Sequence, residues 1–157
     1  MKIKWKLLII CLLIPLIVGG VSALLTRDSI QAVDSIEKPP FTPPAIVFPI
    51  VWTLLYLSMG LASYLVMVSK QPQAKIDAAL RIYGVQLAFN FFWSIFFFGL
   101  GAYLFSFLWL VALLVCVILN IVAFYKISKP AGLLLIPYLL WVTFAGYLNF
   151  AIYLLNM

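Results

Sequence analysis

The chain has no histidine, two cysteines and four acidic residues among 157 positions. Without histidine, the commonest protein ligand for metals and haem iron is missing, so no metal site and no obligatory cofactor are expected. Cys11 and Cys116 stand alone in separate apolar runs. They read as small core thiols rather than as a disulfide, since both lie in segments of lipid depth. No Asp, Glu, Lys or Arg falls deep inside any long apolar run, and Arg81 stands at the start of one. Proton pumps, ion-coupled carriers and voltage sensors depend on ionisable groups inside the membrane, so these classes are disfavoured. No grouping of acid, base and nucleophile suggests a catalytic centre.

What is present is apolar. The chain is 67% hydrophobic and 9% charged, with a mean hydropathy of +1.22, which marks an integral membrane protein in a lipid bilayer. Spans of about 20 residues suffice to cross the hydrocarbon core. The sequence accommodates five, over 7–25, 44–68, 81–98, 102–125 and 131–155, with one long loop over 26–43. The expected fold is therefore all-α, a five-transmembrane-helix bundle forming one membrane domain over 1–157. Alternating polar and apolar stretches of about ten residues are absent, which argues against a membrane barrel. Lys2, Lys4 and Lys6 followed by an apolar run ending at Val21-Ser22-Ala23 resemble a cleavable leader. The run is longer than a leader core of about 7 to 15 residues, and Pro15, Gly19 and Gly20 suit a packed helix, so retention is expected.

Orientation follows from the basic residues. With five spans, eight of them (Lys2, Lys4, Lys6, Lys70, Lys75, Arg81, Lys126 and Lys129) fall on the side of the N-terminus, and Arg27 and Lys38 on the other. The N-terminus is expected in the cytoplasm, the C-terminus and the long loop outside. The net charge of +6 is thus topological. Scattered at helix ends, it gives no nucleic-acid surface.

Three stripes recur at helical spacing: Phe48, Trp52 and Tyr56; Gln86, Asn90, Trp93 and Phe97; Tyr138, Trp141, Ala145 and Asn149. An unpartnered amide at membrane depth costs roughly 2 to 7 kcal/mol, so Gln86 and Asn90 require partners. Two readings stay open. Interhelical hydrogen bonds worth about 0.6 to 2 kcal/mol would justify the amides as glue. Alternatively, stacked aromatics with amides to orient polar groups and space beside Ala145 would enclose a flat apolar ligand. Trp5 suits the interfacial belt, as do Tyr103, Tyr125 and Tyr153, whereas Trp93 and Trp141 lie well inside their spans and favour a pocket. The Phe96–Phe98 run reads as packing or lipid contact. Before the second span, Lys38-Pro-Pro-Phe-Thr-Pro-Pro44 forms a stiff strap, either a lid or a solvated connector, with Pro44 opening the helix and Pro49 loosening its first turn.

Three motifs together carry a family resemblance. The strap with Phe48 and Val51-Trp-Thr-Leu-Leu-Tyr56, then Gln86-Leu-Ala-Phe-Asn-Phe-Phe-Trp93 with Phe96-Phe-Phe-Gly99, and Pro137-Tyr-Leu-Leu-Trp-Val-Thr-Phe-Ala-Gly-Tyr-Leu-Asn149 resemble, in this order, the TspO/MBR family of tryptophan-rich sensory and translocator proteins. The resemblance implies a homodimer of five-helix bundles with a pocket opening toward the first loop. It implies porphyrins and related apolar molecules as ligands, in sensing, scavenging or transport, at a bacterial cell membrane. Carried over by position, the pocket comprises Pro44, Phe48, Val51 and Trp52, then Gln86, Asn90 and Trp93, then Trp141, Phe144, Ala145 and Leu148. Two alternatives come with it, a light-dependent porphyrin-degrading enzyme using Trp52 and Trp141, and a tetrapyrrole or sterol transporter.

The chain departs from the family at two places. Phe41 and Ile46 stand where many relatives have tryptophan, which reduces aromatic contact at the lid. After Asn149 the chain reads Phe150-Ala-Ile-Tyr-Leu-Leu-Asn-Met157, without the basic residue of the animal sterol-contact motif. Leu61–Lys70 and Val122–Lys129 fit the loose sterol pattern, which arises easily in apolar helices.

Overall fold

The computed structural model describes residues 2–157. Its elements are α1 (Trp5–Asp34), α2 (Val47–Met67), α3 (Gln73–Ser94) with a π-helical turn (Ile95–Gly99), α4 (Tyr103–Ile127), a short α5 (Lys129–Leu133) and α6 (Ile136–Leu155). Among the described residues, five helical segments, counting α5 with α6 as one, are long and apolar enough to cross a membrane. The expected all-α, five-span architecture is what the chain adopts.

The ends of the spans differ from the sequence expectation, for reasons that concern water rather than lipid. The first helix continues past residue 25 to Asp34, giving 30 residues. At roughly 1.5 Å per residue that is about 45 Å, against a hydrocarbon core of about 30 Å. Its last turns carry exposed Arg27, Asp28, Gln31 and Asp34, so the helix persists where the apolar run stops. The loop accordingly shortens from 26–43 to 35–46. In the same way α3 begins at Gln73 rather than Arg81, with Gln73 Nε2 donating to Asp77 Oδ1 one turn later at 2.8 Å. The fifth span is interrupted at Leu134 and Leu135. Pro137 has no N–H to donate to the Leu133 carbonyl, so the α-helical ladder restarts at Ile136.

Pro44 does not open α2. It precedes the helix, its carbonyl accepting the Val47 N–H at 2.9 Å, while Pro49 sits in the first helical turn, where a missing donor is harmless. At the other end of the bundle the Lys4 N–H donates to the Tyr64 hydroxyl, joining the start of α1 to the end of α2 at 3.0 Å.

The strap is tied down by the C-terminus. Asn156 Oδ1 accepts the Glu37 N–H at 3.0 Å and its Nδ2 donates to the Glu37 carbonyl at 2.9 Å. Pro39 is buried beneath it, whereas Phe41 is 76% exposed and so adds no aromatic roof. Replacing Asn156 by Ala removes both hydrogen bonds to Glu37 and the one from its Nδ2 to the Ile152 carbonyl, each worth about 0.5 to 1.5 kcal/mol. Backbone amide exchange over residues 35–46 is then expected to accelerate with little change in thermal midpoint. Unchanged exchange would show that the strap is held by Pro39 and the half-buried Ile36 alone.

Small residues set the α1–α2 spacing. A Cβ added at Gly60 would lie 2.7 Å from the Cys11 carbonyl oxygen and 2.7 Å from Leu12 Cα. That oxygen is the one Pro15, four residues on, cannot bond within α1. One turn closer to the strap along α2, the Tyr56 ring lies against Gly19, its Cε2 occupying the space a Cβ would need. Both cysteines are free, Cys11 buried with its thiol 3.6 Å from Met67 Sδ.

Candidate functional site

The backbone of α2 meets α5 rather than packing along α6. Ser58 Oγ donates to the Leu134 carbonyl at the end of the bundle away from the strap. Toward the strap, side chains rather than backbones fill the space between α2, α3 and α6. Trp52 is at its centre, with ring centroids 5.7 Å from Tyr56, 6.0 Å from Trp93 and 6.2 Å from Tyr138. Phe48, one turn closer to the strap, meets Trp141 edge-on at 5.8 Å, and Trp141 meets Phe144 at 5.6 Å. The i, i+4 spacing on α2 and the i, i+3 spacing on α6 put these rings on facing stripes.

Behind the rings runs a polar chain. The Tyr56 hydroxyl donates to Asn90 Oδ1 at 2.8 Å, and Asn90 Nδ2 donates to the Tyr138 hydroxyl at 2.9 Å. Gln86 Nε2 donates to the same hydroxyl at 2.5 Å. Asn90 therefore has protein partners on both amide atoms, and the interhelical reading holds for it. A second knot lies nearer the strap, where Asn149 Oδ1 accepts from Trp93 Nε1 and Ser106 Oγ, each at 3.1 Å, and Asn149 Nδ2 donates to the Tyr103 carbonyl at 2.8 Å. Two buried atoms of the predicted set have no protein partner, Gln86 Oε1 and Trp141 Nε1.

The predicted residues fall into two groups by depth. Gln86, Asn90, Trp93, Ala145 and Leu148 are buried, forming a floor, while Phe48, Val51, Trp52, Trp141 and Phe144 are half-buried along the α2–α6 seam. Pro44 is exposed. Leu148 is buried but lies outside the contiguous core that holds Trp93 and Ala145. The positional carry-over omits Tyr56 and Tyr138, which organise the chain. Their signal was in the stripes, since each stands one turn from a predicted tryptophan. It also passes over Asn120, 0% exposed within Val117-Ile-Leu-Asn-Ile-Val122. Two open grooves lie elsewhere, one of about 450 Å³ between α1 and α3 and one of about 220 Å³ between α3 and α4, and neither touches the predicted set.

Residues 11–155 match the TspO/MBR family. The chain belongs to that family. It is 42% identical over 151 residues to a tryptophan-rich protein TspO of Archaeoglobus fulgidus, covering 95% of this chain and 96% of the relative. It is 34% identical over 159 residues to a tryptophan-rich sensory protein of Cereibacter sphaeroides, covering 99% and 95%. A translocator protein of Bos taurus is 33% identical over 140 residues, covering 88% and 83%. The TspO/MBR membership and the five spans together make this an integral membrane protein, of a kind consistent with a membrane receptor or sensor.

Proposed function

We propose that the chain is a membrane receptor for porphyrins, which insert between α2 and α6 and stack among Phe48, Trp52, Trp141 and Phe144. The observation that carries the reading is the Trp141 indole N–H, buried without a protein partner at the centre of a half-buried aromatic seam. A donor in that position suits an acceptor on a flat ligand, and the rings supply the apolar contact such a ligand needs. Fixed by Tyr56 and Tyr138, the Gln86 and Asn90 amides form the wall behind it and set orientation. No acid takes part, since Asp28, Asp34, Glu37 and Asp77 are all exposed. The name of the Cereibacter sphaeroides relative, a sensory protein, supports a receptor. The basic excess at the opposite end of the bundle supports a mouth that faces outward.

Protoporphyrin is expected to quench the intrinsic fluorescence saturably. Of the five tryptophans, Trp52, Trp93 and Trp141 line the site, and Trp5 and Trp109 remain as internal controls. Replacing the three by Phe together should abolish the saturable component. Saturable quenching of undiminished affinity in that variant would place the porphyrin elsewhere.

A further inference from the structure

The groove between α3 and α4 has apolar walls and a charged mouth. Ile82 and Val85 of α3 and Cys116 and Leu119 of α4 line its volume of about 220 Å³, and Arg81 lines it at the end away from the strap. Positions three and four apart share a helix face, which puts Arg81 and Ile82 beside Val85, and Cys116 beside Leu119. Val85 is 51% and Leu119 53% exposed, so the groove opens outward to lipid and shares no residue with the aromatic seam. Lys126, also exposed, follows Leu119 by seven residues, two turns nearer the same end on the same face of α4.

Arg81 stands where the polar first turns of α3 give way to its apolar run. Its Nε donates to the Asp77 carbonyl at 3.4 Å, and among the described residues its guanidinium enters no ion pair. Asp77, the one acidic residue at this end, accepts from Gln73 Nε2 instead. All eight basic residues of this end are exposed, against that single acid. A guanidinium fork matches a phosphate group bidentately, and basic pockets between transmembrane helices suit anionic lipid head groups. An apolar slot that begins at such a fork, at the edge of the hydrocarbon, fits a molecule with a phosphate and an acyl chain. A zwitterionic head group brings a cation of its own toward Arg81 and Lys126, whereas an anionic one does not.

We propose that the α3–α4 groove binds one anionic phospholipid, its phosphate held by Arg81 and Lys126 and an acyl chain lying against Ile82, Val85, Cys116 and Leu119. The lipid bridges the two helices from outside the bundle. Its binding is independent of porphyrin.

Native mass spectrometry of the full chain tests this, with an equal mixture of phosphatidylglycerol and phosphatidylcholine of identical acyl chains added in detergent. The first lipid retained is expected to be phosphatidylglycerol in several-fold excess. One basic residue near a membrane surface changes anionic-lipid affinity about five-fold, so Arg81→Gln should reduce the excess by about that factor. Lys70→Gln removes the same charge from the same end, away from the groove, and should leave the excess unchanged. Val85→Phe fills the slot without altering charge and should lower retention of both lipids. Equal retention of the two lipids by the unaltered protein would overturn the proposal, whether or not any variant folds. So would an equal loss in Lys70→Gln and Arg81→Gln, which would mean a diffuse basic field without a seat, or undiminished retention in Val85→Phe.

Discussion

Gly60→Ala is expected to lower thermal stability more than Gly19→Ala, although the nearer clash is at Gly19. The difference lies in what each new methyl group meets. At Gly60 it meets backbone, the Cys11 carbonyl oxygen and Leu12 Cα both at 2.7 Å, and only a shift of α1 away from α2 relieves that. Overpacking of this kind costs about 1 to 3 kcal/mol and occasionally more. Separating the helices also releases the contact of Gly19 with Tyr56, so the loss should stand at the upper end of that range. At Gly19 the obstacle is the far end of the Tyr56 side chain. The ring can swing aside, giving up its stacking on Trp52 and its hydrogen bond to Asn90. Gly19→Ala should therefore alter the near-ultraviolet circular dichroism of the tryptophans at a modest cost in stability. Thermal unfolding in detergent checks the order. A larger loss for Gly19→Ala would mean that Tyr56, rather than the α1–α2 backbone contact, determines how closely these helices approach.

The same distinction, between what one helix specifies and what two helices specify together, separates the legible parts of the fold from the rest. Five spans were legible because lipid demands long apolar runs. The far ends of α1 and α3 were not, since Arg27–Asp34 and Gln73–Leu80 are helices in a polar setting, where apolarity stops reporting on structure. Within the site, spacing put Trp52 with Phe48, and Trp93 with Asn90 and Gln86, because i, i+3 and i, i+4 positions share a face on any helix. Spacing carries no register between helices. That Tyr138 on α6 meets two amides on α3, or that Asn149 holds Trp93, depends on how far each helix slides along its neighbour. Asn120 escapes the pattern for a related reason, as a lone amide among Val, Ile and Leu has no stripe to mark it.

Tyr138→Phe provides the sharpest separation of architecture from ligand contact. The hydroxyl accepts from both Gln86 Nε2 and Asn90 Nδ2, and Tyr138 is 0% exposed. Removing one oxygen leaves Gln86 with no protein partner on either amide atom, because its Oε1 has none already. Asn90 retains only the hydrogen bond from Tyr56. With interhelical hydrogen bonds worth about 0.6 to 2 kcal/mol each in membranes, losing two is expected to destabilise by about 1 to 4 kcal/mol. The ring stays, so its contact with Trp52 at 6.2 Å is kept and the aromatic seam is unchanged in shape. Porphyrin affinity, measured by quenching at a temperature where the variant remains folded, should consequently fall far less than in the triple tryptophan variant. The expected pattern is a large shift in the thermal midpoint with a small shift in affinity. If affinity falls as steeply as it does on loss of the tryptophans while the midpoint holds, the hydroxyl contacts the ligand directly, and the chain through Gln86 and Asn90 belongs to the binding surface rather than to the wall behind it.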